Sequence, residues 1–480
     1  PLIQDAGQTP DQAAQGATQT LAAAADLPVD WAFDPALVDQ DAAGQDAAGL
    51  AAGLADVAAK RGVFALPYGD TDVSQLAHAG VHDTDVLDLA EQRTKAVVKA
   101  AFDSTTQGFV HTDLMWPASA ADSQLVSMLN RDAHTKYALA PVTATTPAGA
   151  WGRPAVATLR VGSYHVTGII PETQKGVGDA FAAYLASGTL KDRQVLLADL
   201  ALRGLATQAR STDSTIVLTV PRGLGIGGQD LATRLGTVFG LPWLTAKSLI
   251  DVEDSAPESQ IYVTSGKDPG RGPSTEVLDK LTGLAARAIP FAQITGNAQA
   301  FEAQAAEQLA GPLAVSLPAD QRTQKATAAV QQMTATLGQV KIVKGSEVNL
   351  IAEAGQVPVV VRNTSAQAVT VQVAFDVADP VIRARKSARI HVAAGEQATA
   401  MVPIRAIANG TVQVKATLVN AHGAAVSGAT SFAVRVHAEW ENIGTLIFAV
   451  LVVLLFGFGL VRSIRRRRRE RDARADGAAA

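Results

Sequence analysis

Residues 66–72 read LPYGDTD and follow the apolar run Val63-Phe64-Ala65. An apolar triplet that breaks into a tyrosine, a glycine and two carboxylates has the form of a buried strand handing its C-terminal loop to a surface. If Val63–Leu66 is one strand of a parallel sheet, units of the same kind should flank it. Candidates are Val29–Phe33, Gly108–Trp116, Tyr137–Pro141, Ala155–Val161, Tyr164–Ile170, Thr215–Val220 and Trp243–Leu249. Alanine-rich helical stretches lie between several of them: Asp41–Lys60, Ala118–Asn130, Lys191–Ala209 and Gly228–Phe239. Strand–helix alternation over residues 1–260 predicts an α/β domain with a mostly parallel sheet, and seven or eight such strands predict an irregular (β/α) barrel.

In such a barrel, chemistry sits where strands end. Asp34 ends the first strand in WAFDPAL, Asp70 and Asp72 end the second, and Asp113 lies in VHTDLMWP on the third. These four are the catalytic candidates, with Tyr68 and Arg222 as ligand contacts. His78 and His82 form an H-x3-H pair after the second strand. Carboxylates with histidines can hold a divalent metal that activates water. PYG after a strand is similar to the polysaccharide deacetylases, but there the H-x3-H precedes the PYG, and no Asp-Asp pair ends the first strand here. Against catalysis stands a simpler role: Asp before Pro, or in Gly-Asp, routinely caps a turn or a helix. The balance favours capping, and no metal or cofactor is assigned. Gly223–Gly228, GLGIGG, satisfies G-x-G-x-x-G. Pro221-Arg222 separates it from a strand, which favours a surface loop over a phosphate cradle. No G-x-S-x-G elbow occurs, so a serine triad has no support.

Residues 261–338 predict a helical segment. STEVLDKLTGLAARA places Val277, Leu278, Leu281 and Leu284 on one stripe, and two further helical stretches follow around Pro312 and Pro318. Residues 339–437 alternate with period two: Val357, Val359, Val361; then Val369, Val371, Val373, Phe375; then Val412, Val414, Ala416, Leu418. With turn signals between, this predicts an immunoglobulin-like sandwich of about seven strands. Asn363-Thr364-Ser365 fits a glycosylation sequon but reads as a turn of the sandwich.

Ile443–Val461 is a 19-residue run without a charge. It would span roughly 28 Å as a helix, close to the bilayer's hydrocarbon thickness. Trp440 stands on one side of it and Arg465, Arg466, Arg467, Arg468 and Arg469 on the other. An indole suits the interface and clustered arginines stay cytoplasmic. The expectation is one transmembrane helix, a cytoplasmic basic tail at 462–480 and a body outside the cytoplasm. Export needs a signal, and the sequence from Pro1 has no methionine and no apolar h-region, so a processed or truncated N-terminus is expected.

Of 480 residues, 48% are hydrophobic and 18% charged, enough apolar content for several cores. The absence of cysteine excludes disulfides, thiolate metal sites and cysteine nucleophiles. The net charge is −4, but the tail from Arg462 carries eight arginines against Glu470, Asp472 and Asp476, leaving −9 on the rest. An acidic body excludes nucleic acid as the expected partner.

Several stretches together resemble one family: WAFDPAL (31–37), ALPYGDTD (65–72), VPRG (220–223) with PWL (242–244), VNLIAEAGQVPVVVRNTSAQAVTVQV (348–373), PIRAIANGTVQVKATLVNAHG (403–423), and VRVHAEWENIGT through the tail. They are similar to the DUF6049 proteins, actinobacterial envelope proteins often encoded beside the lipid II flippase. The resemblance implies a signal-bearing, single-pass membrane protein and supplies no activity. The expected function is an extracytoplasmic envelope protein that binds or scaffolds a cell-wall glycan or an envelope-biogenesis membrane protein such as the flippase. The alternative is a carbohydrate hydrolase or deacetylase using acids at the barrel mouth.

Overall fold

The computed structural model describes residues 1–5, 7–80, 84–132, 134–142, 154–172, 176–210, 215–253, 259–266, 270, 272–343, 348–350, 354–377, 381–436 and 440–476, with side chains throughout except at 207–210, 252–253, 348–350, 440–446 and 467–476. The chain divides into two compact units, Pro1–Ala292 with Asn297–Leu337, and Gln293–Gly296 with Gly338–Ala480. It is a mixed α/β protein ending in an apolar helix.

In the first unit, strands β1 (Trp31–Phe33), β2 (Val63–Ala65) and β3 (Val110–His111) form a parallel sheet in that order. All three residues of β1 and of β2 are buried, as expected for strands covered on both faces. After Thr112 and Asp113 the chain enters a second sheet, with β4 (Leu114–Met115), β5 (Tyr137–Leu139), β6 (Val156–Val161), β7 (Tyr164–Ile169) and β8 (Gln260–Tyr262) in the order β4-β5-β7-β6-β8. One side of successive strands feeds a single cluster: Ala32, Phe64, Leu66, Leu114, Tyr137, Leu139 and Ile169. No pairing joins β8 to β1 among the described residues. A second cluster lies among helices Val177–Ser187, Leu190–Arg210 and Gly228–Phe239. Helices Thr275–Ala292, Ala298–Leu309 and Ala319–Leu337 pack on one another and belong to this unit, the short break at 293–296 excepted.

Four expected strands differ. Ala155–Val161 and Tyr164–Ile170 are not two parallel strands but one antiparallel hairpin, β6–β7, with Val161 opposite Tyr164. Thr215–Val220 keeps one bridge, Pro171 to Val217. Trp243–Leu249 is not a strand: it leads into helix Leu249–Glu253, and Trp243 is 54% exposed. The reason lies at Asp30, whose carboxylate accepts from Ser248 Oγ at 2.9 Å and from the Leu249 backbone N–H, so it caps the helix start instead of leaving a ladder to continue.

The second unit contains two sheets. Strands β9 (Val340–Ile342), β10 (Val348–Leu350), β11 (Ala354–Asn363), β12 (Val369–Val377), β13 (Ile382–Ala384), β14 (Ile390–Val392), β15 (Gln397–Ala406), β16 (Gly410–Val419) and β17 (Thr430–Val436) pair as β13-β15-β11-β9 and β10-β17-β16-β12-β14. Their inner faces are the alternating residues of the sequence: Val357, Val359 and Val361; Val369, Val371 and Val373; Val412, Val414, Ala416 and Leu418, all buried. Phe375 is half-buried and meets Phe432 edge-on, ring centroids 5.5 Å apart. Asn363 is fully buried and its Nδ2 donates to the Gln367 carbonyl at 2.7 Å, so its amide is a turn anchor and not a glycan acceptor. The last helix is Trp440–Asp476. Its segment Ile447–Arg466 has a mean hydropathy of 2.5 and exposes its large apolar side chains, so it is long and apolar enough to cross a membrane.

Candidate functional site

The LPYGDTD loop begins where β2 ends. Leu66 N–H donates to the Phe33 carbonyl at 2.9 Å, extending the β1–β2 ladder by one residue. The chain then turns through Gly69 at φ +75° and Asp70 at φ +45°. Glycine enters the left-handed region freely, and Asp tolerates it better than most residues. After the turn the chain runs along segment 313–315: Val315 N–H donates to the Asp70 carbonyl and Asp72 N–H to the Leu313 carbonyl, at 2.9 and 2.8 Å. The loop is therefore zipped to the approach of helix Ala319–Leu337.

The candidate side chains of this loop and its neighbours are then paired, Asp113 excepted. Asp34 is buried, caps the short 3-10 turn Pro35–Leu37 through Ala36 N–H at 3.0 Å, and accepts from Gly69 N–H at 2.9 Å. Tyr68 donates from its hydroxyl to Asp39 Oδ2 at 3.1 Å, and the Arg93 guanidinium stands 5.7 Å from its ring centroid. Asp70 receives both arms of Arg222, Nε to Oδ2 at 2.8 Å and Nη2 to Oδ1 at 2.9 Å. Arg222 also donates to the Trp116 carbonyl at 2.8 Å and stacks 4.4 Å from the Trp116 ring centroid. Asp72 is fully buried, caps helix Val73–His78 through Ser74 N–H at 3.1 Å, and takes Arg322 Nη1 at 2.9 Å. Asp113 stands apart: its carbonyl receives the N–H groups of Lys136 and Tyr137, while its Oδ1 is buried with no hydrogen-bond partner among the described residues.

Desolvation sets the charge of this cluster. Burial pushes Asp34 up to about 7, with the N–H groups of Ala36 and Gly69 pulling against it and the Asp70 charge adding to the rise. Burial also raises Asp70, against the pull of Arg222. Because Asp34 titrates higher folded than unfolded, the folded chain binds more protons between about pH 4 and 7, and stability falls as pH rises through that window. At ~1.4 kcal/mol per unit the loss is on the order of 4 kcal/mol. Asp34→Asn, which retains an acceptor for both N–H groups, should flatten this slope. Its unfolding midpoint should move less than the native one between pH 4 and 8, and equal slopes would refute the assignment.

His78 uses both ring nitrogens: Nε2 faces Asp122 Oδ2 at 2.6 Å and Nδ1 the Ser74 carbonyl at 2.7 Å. His82 lies outside the described residues. In GLGIGG, a Cβ on Gly228 would stand 2.6 Å from Thr20 Cα, so this glycine serves the close approach of helix Gly228–Phe239 to helix Pro10–Ala24.

One cluster escaped the sequence reading. Asp88, Glu91 and Asp132 each offer a carboxylate oxygen, and these atoms lie within 4.8 Å of one another. Asp88 and Glu91 are three apart on helix Asp85–Ala101 and so share a face. That spacing is visible in the sequence, whereas the third member comes from the turn after helix Ser123–Leu129. Burial pushes Glu91 up to about 9, with the Asp132 charge next in effect.

Among known proteins, the model of a family of unknown function, DUF6049, matches residues 4–477. The chain belongs to that family. No curated protein matches it. Similar solved structures include WR4, a C. elegans MSP family member, at 11% identity and TM-score 0.15, covering 21% of this chain and 97% of that one. A non-cellulosomal cohesin from the archaeon Archaeoglobus fulgidus shares 15% identity at TM-score 0.13, covering 22% and 97%. An S-layer protein, rSbsC(31-844), shares 12% at TM-score 0.14, covering 84% of this chain and 46% of that one. The fold described above rests on strand pairing alone.

Proposed function

We propose that this DUF6049 protein is a membrane-anchored, non-enzymatic binding or scaffolding protein of the cell envelope. Its first unit lies outside the cytoplasm and takes a cell-wall glycan or an envelope-biogenesis membrane protein such as the lipid II flippase. The observation that carries this reading is the engagement of the loop carboxylates. Asp70 is held by both arms of Arg222 and Asp72 by Arg322, while Asp34 faces two backbone N–H groups. A hydrolase needs two carboxyl groups free on one cleft, about 5–5.5 Å apart for retention or 6.5–9.5 Å for inversion. Here the carboxylates build the loop instead of lining a cleft, which disfavours hydrolysis or deacetylation through Asp34 and Asp70.

We read the parallel strands of the first unit as an opened (β/α) barrel, supported by the single cluster that β1, β2, β4, β5 and β7 share. The sandwich of the second unit acts as a spacer. Only residues 437–439 separate β17 from the last helix, a reach of about 14 Å at full extension, so the sandwich sits close to the bilayer surface.

The test is affinity capture from crosslinked membranes with the full chain and with a chain lacking residues 1–337. Partners should be recovered with the full chain and lost with the shortened one. Equal recovery of the same partners from both would overturn the reading, as would hydrolysis of wall glycan by the full chain that Asp34→Asn abolishes.

A further inference from the structure

We propose that Asp88, Glu91 and Asp132 hold a calcium ion, which ties helix Asp85–Ala101 to the turn that follows helix Ser123–Leu129. Three carboxylates in proximity are common on protein surfaces, but Glu91 sets this group apart. The Glu91 side chain is only 6% exposed, and its Oε2 is buried without a hydrogen-bond partner among the described residues. A buried carboxylate oxygen left unpaired is costly. It sits in a group whose oxygens converge, which is what a cation shell requires.

Charge and geometry select the ion. The nearest cation is Lys95, whose Nζ donates to His134 Nδ1 at 2.8 Å. With Nδ1 accepting that bond, the ring proton of neutral His134 sits on Nε2, 3.9 Å from Glu91 Oε2. His134 therefore presents no lone pair to a metal, and the donor set is oxygen only. With all three carboxylates ionised around a bound ion, their charge against the one ammonium is −2, which a divalent ion neutralises. Hard oxygen donors suit calcium or magnesium and not zinc. Opposite oxygens across calcium stand about 4.6–5.2 Å apart, against about 4.0–4.2 Å across magnesium. Oxygens that all lie within 4.8 Å of one another can meet in one shell of either ion, but magnesium keeps most of its waters and takes one or two carboxylates, so three protein carboxylates suit calcium. Asp132 is oriented by its own turn: it accepts from the N–H groups of His134 and Thr135 at 3.2 and 2.8 Å and from the Thr135 hydroxyl. Thr84 Oγ1 donates to Asp88 Oδ2 at 3.4 Å. Three protein carboxylates predict affinity in the range of extracellular modules, ~10⁻⁴–10⁻³ M.

Calorimetric titration of the chelator-treated full chain in detergent with calcium chloride, and separately with magnesium and zinc chloride, tests the proposal. Calcium should bind at one site in that range and raise the unfolding temperature, and magnesium should bind at least tenfold more weakly. Asp88→Asn, at a half-buried position, should lower calcium affinity at least tenfold, as should Glu91→Gln. The remote surface change Glu276→Gln should leave it unchanged. Absence of calcium binding by the native chain, or an unchanged affinity in Asp88→Asn, would overturn the proposal. So would tightest binding of zinc with loss on His134→Ala.

Discussion

Replacing Arg322 by alanine should cost about 3–5 kcal/mol of stability, the range for removing one member of a buried ion pair. Arg322 is 1% exposed and Asp72 is fully buried. The guanidinium donates to Asp72 Oδ2 at 2.9 Å, to the Leu317 carbonyl at 3.0 Å, to the Val315 carbonyl at 2.7 Å and to Gln75 Oε1 at 3.4 Å. Alanine would leave a buried carboxylate uncompensated and two backbone carbonyls short of a donor. It would also open a void, since Arg322 ranks among the largest fully buried side chains. Arg322→Lys should recover less than half of the loss, because a single ammonium cannot reach carbonyls and carboxylate with the planar fork of the guanidinium. Denaturant unfolding of the full chain checks both variants. A cost below about 1 kcal/mol, the range of exposed pairs, would show that water reaches Asp72.

That ion pair also shows where sequence reading stops. The period-two runs from Val357 to Leu418 gave the inner faces of the sandwich, because alternation is a local property of the pleat. The uncharged run from Ile443 announced the last helix for the same reason: its cause lies within the run. Asp34 before Pro35 and Asp70 after Gly69 read as caps; Asp34 is one, but Asp70 pairs with Arg222 and the helix Val73–His78 is capped by Asp72. The partners that neutralise the loop could not be read from neighbours. Arg222 lies 152 residues from Asp70, and Arg322 lies 250 from Asp72. No spacing rule reaches that far, and arginine at either position reads equally well as a solvated charge. The acidic cluster was half legible: Asp88 and Glu91 face one way on a helix, but Asp132 joins them only through tertiary packing. Trp243–Leu249 failed for a related reason. Its apolar residues suggested a strand, while the groups that set its backbone belong to Asp30, some 219 residues away.

Reversing the charges of Arg465–Arg469 should disturb the orientation of the last helix, and single cysteines can report it cleanly because the native chain has none. Each arginine near an anionic leaflet contributes on the order of 1 kcal/mol, so in the proposed topology the cluster would hold that end of the helix at the inner surface and oppose its translocation. Ile447–Arg466 provides 20 residues of suitable length, and the chain before it carries no comparable basic run. With the native tail, a cysteine at the exposed position Ala366, in the turn between β11 and β12, should react with a membrane-impermeant thiol reagent in intact cells. One at Ala475 should be shielded. With glutamates at 465–469, the Ala475 cysteine should become labelled in a substantial fraction of molecules, as stop-transfer weakens. Changing Glu439 and Glu441 to glutamine should leave both patterns alone, since acidic residues contribute little to orientation. Labelling at 475 and shielding at 366 in the native chain would place both folded units in the cytoplasm, and the wall glycan would then be out of their reach.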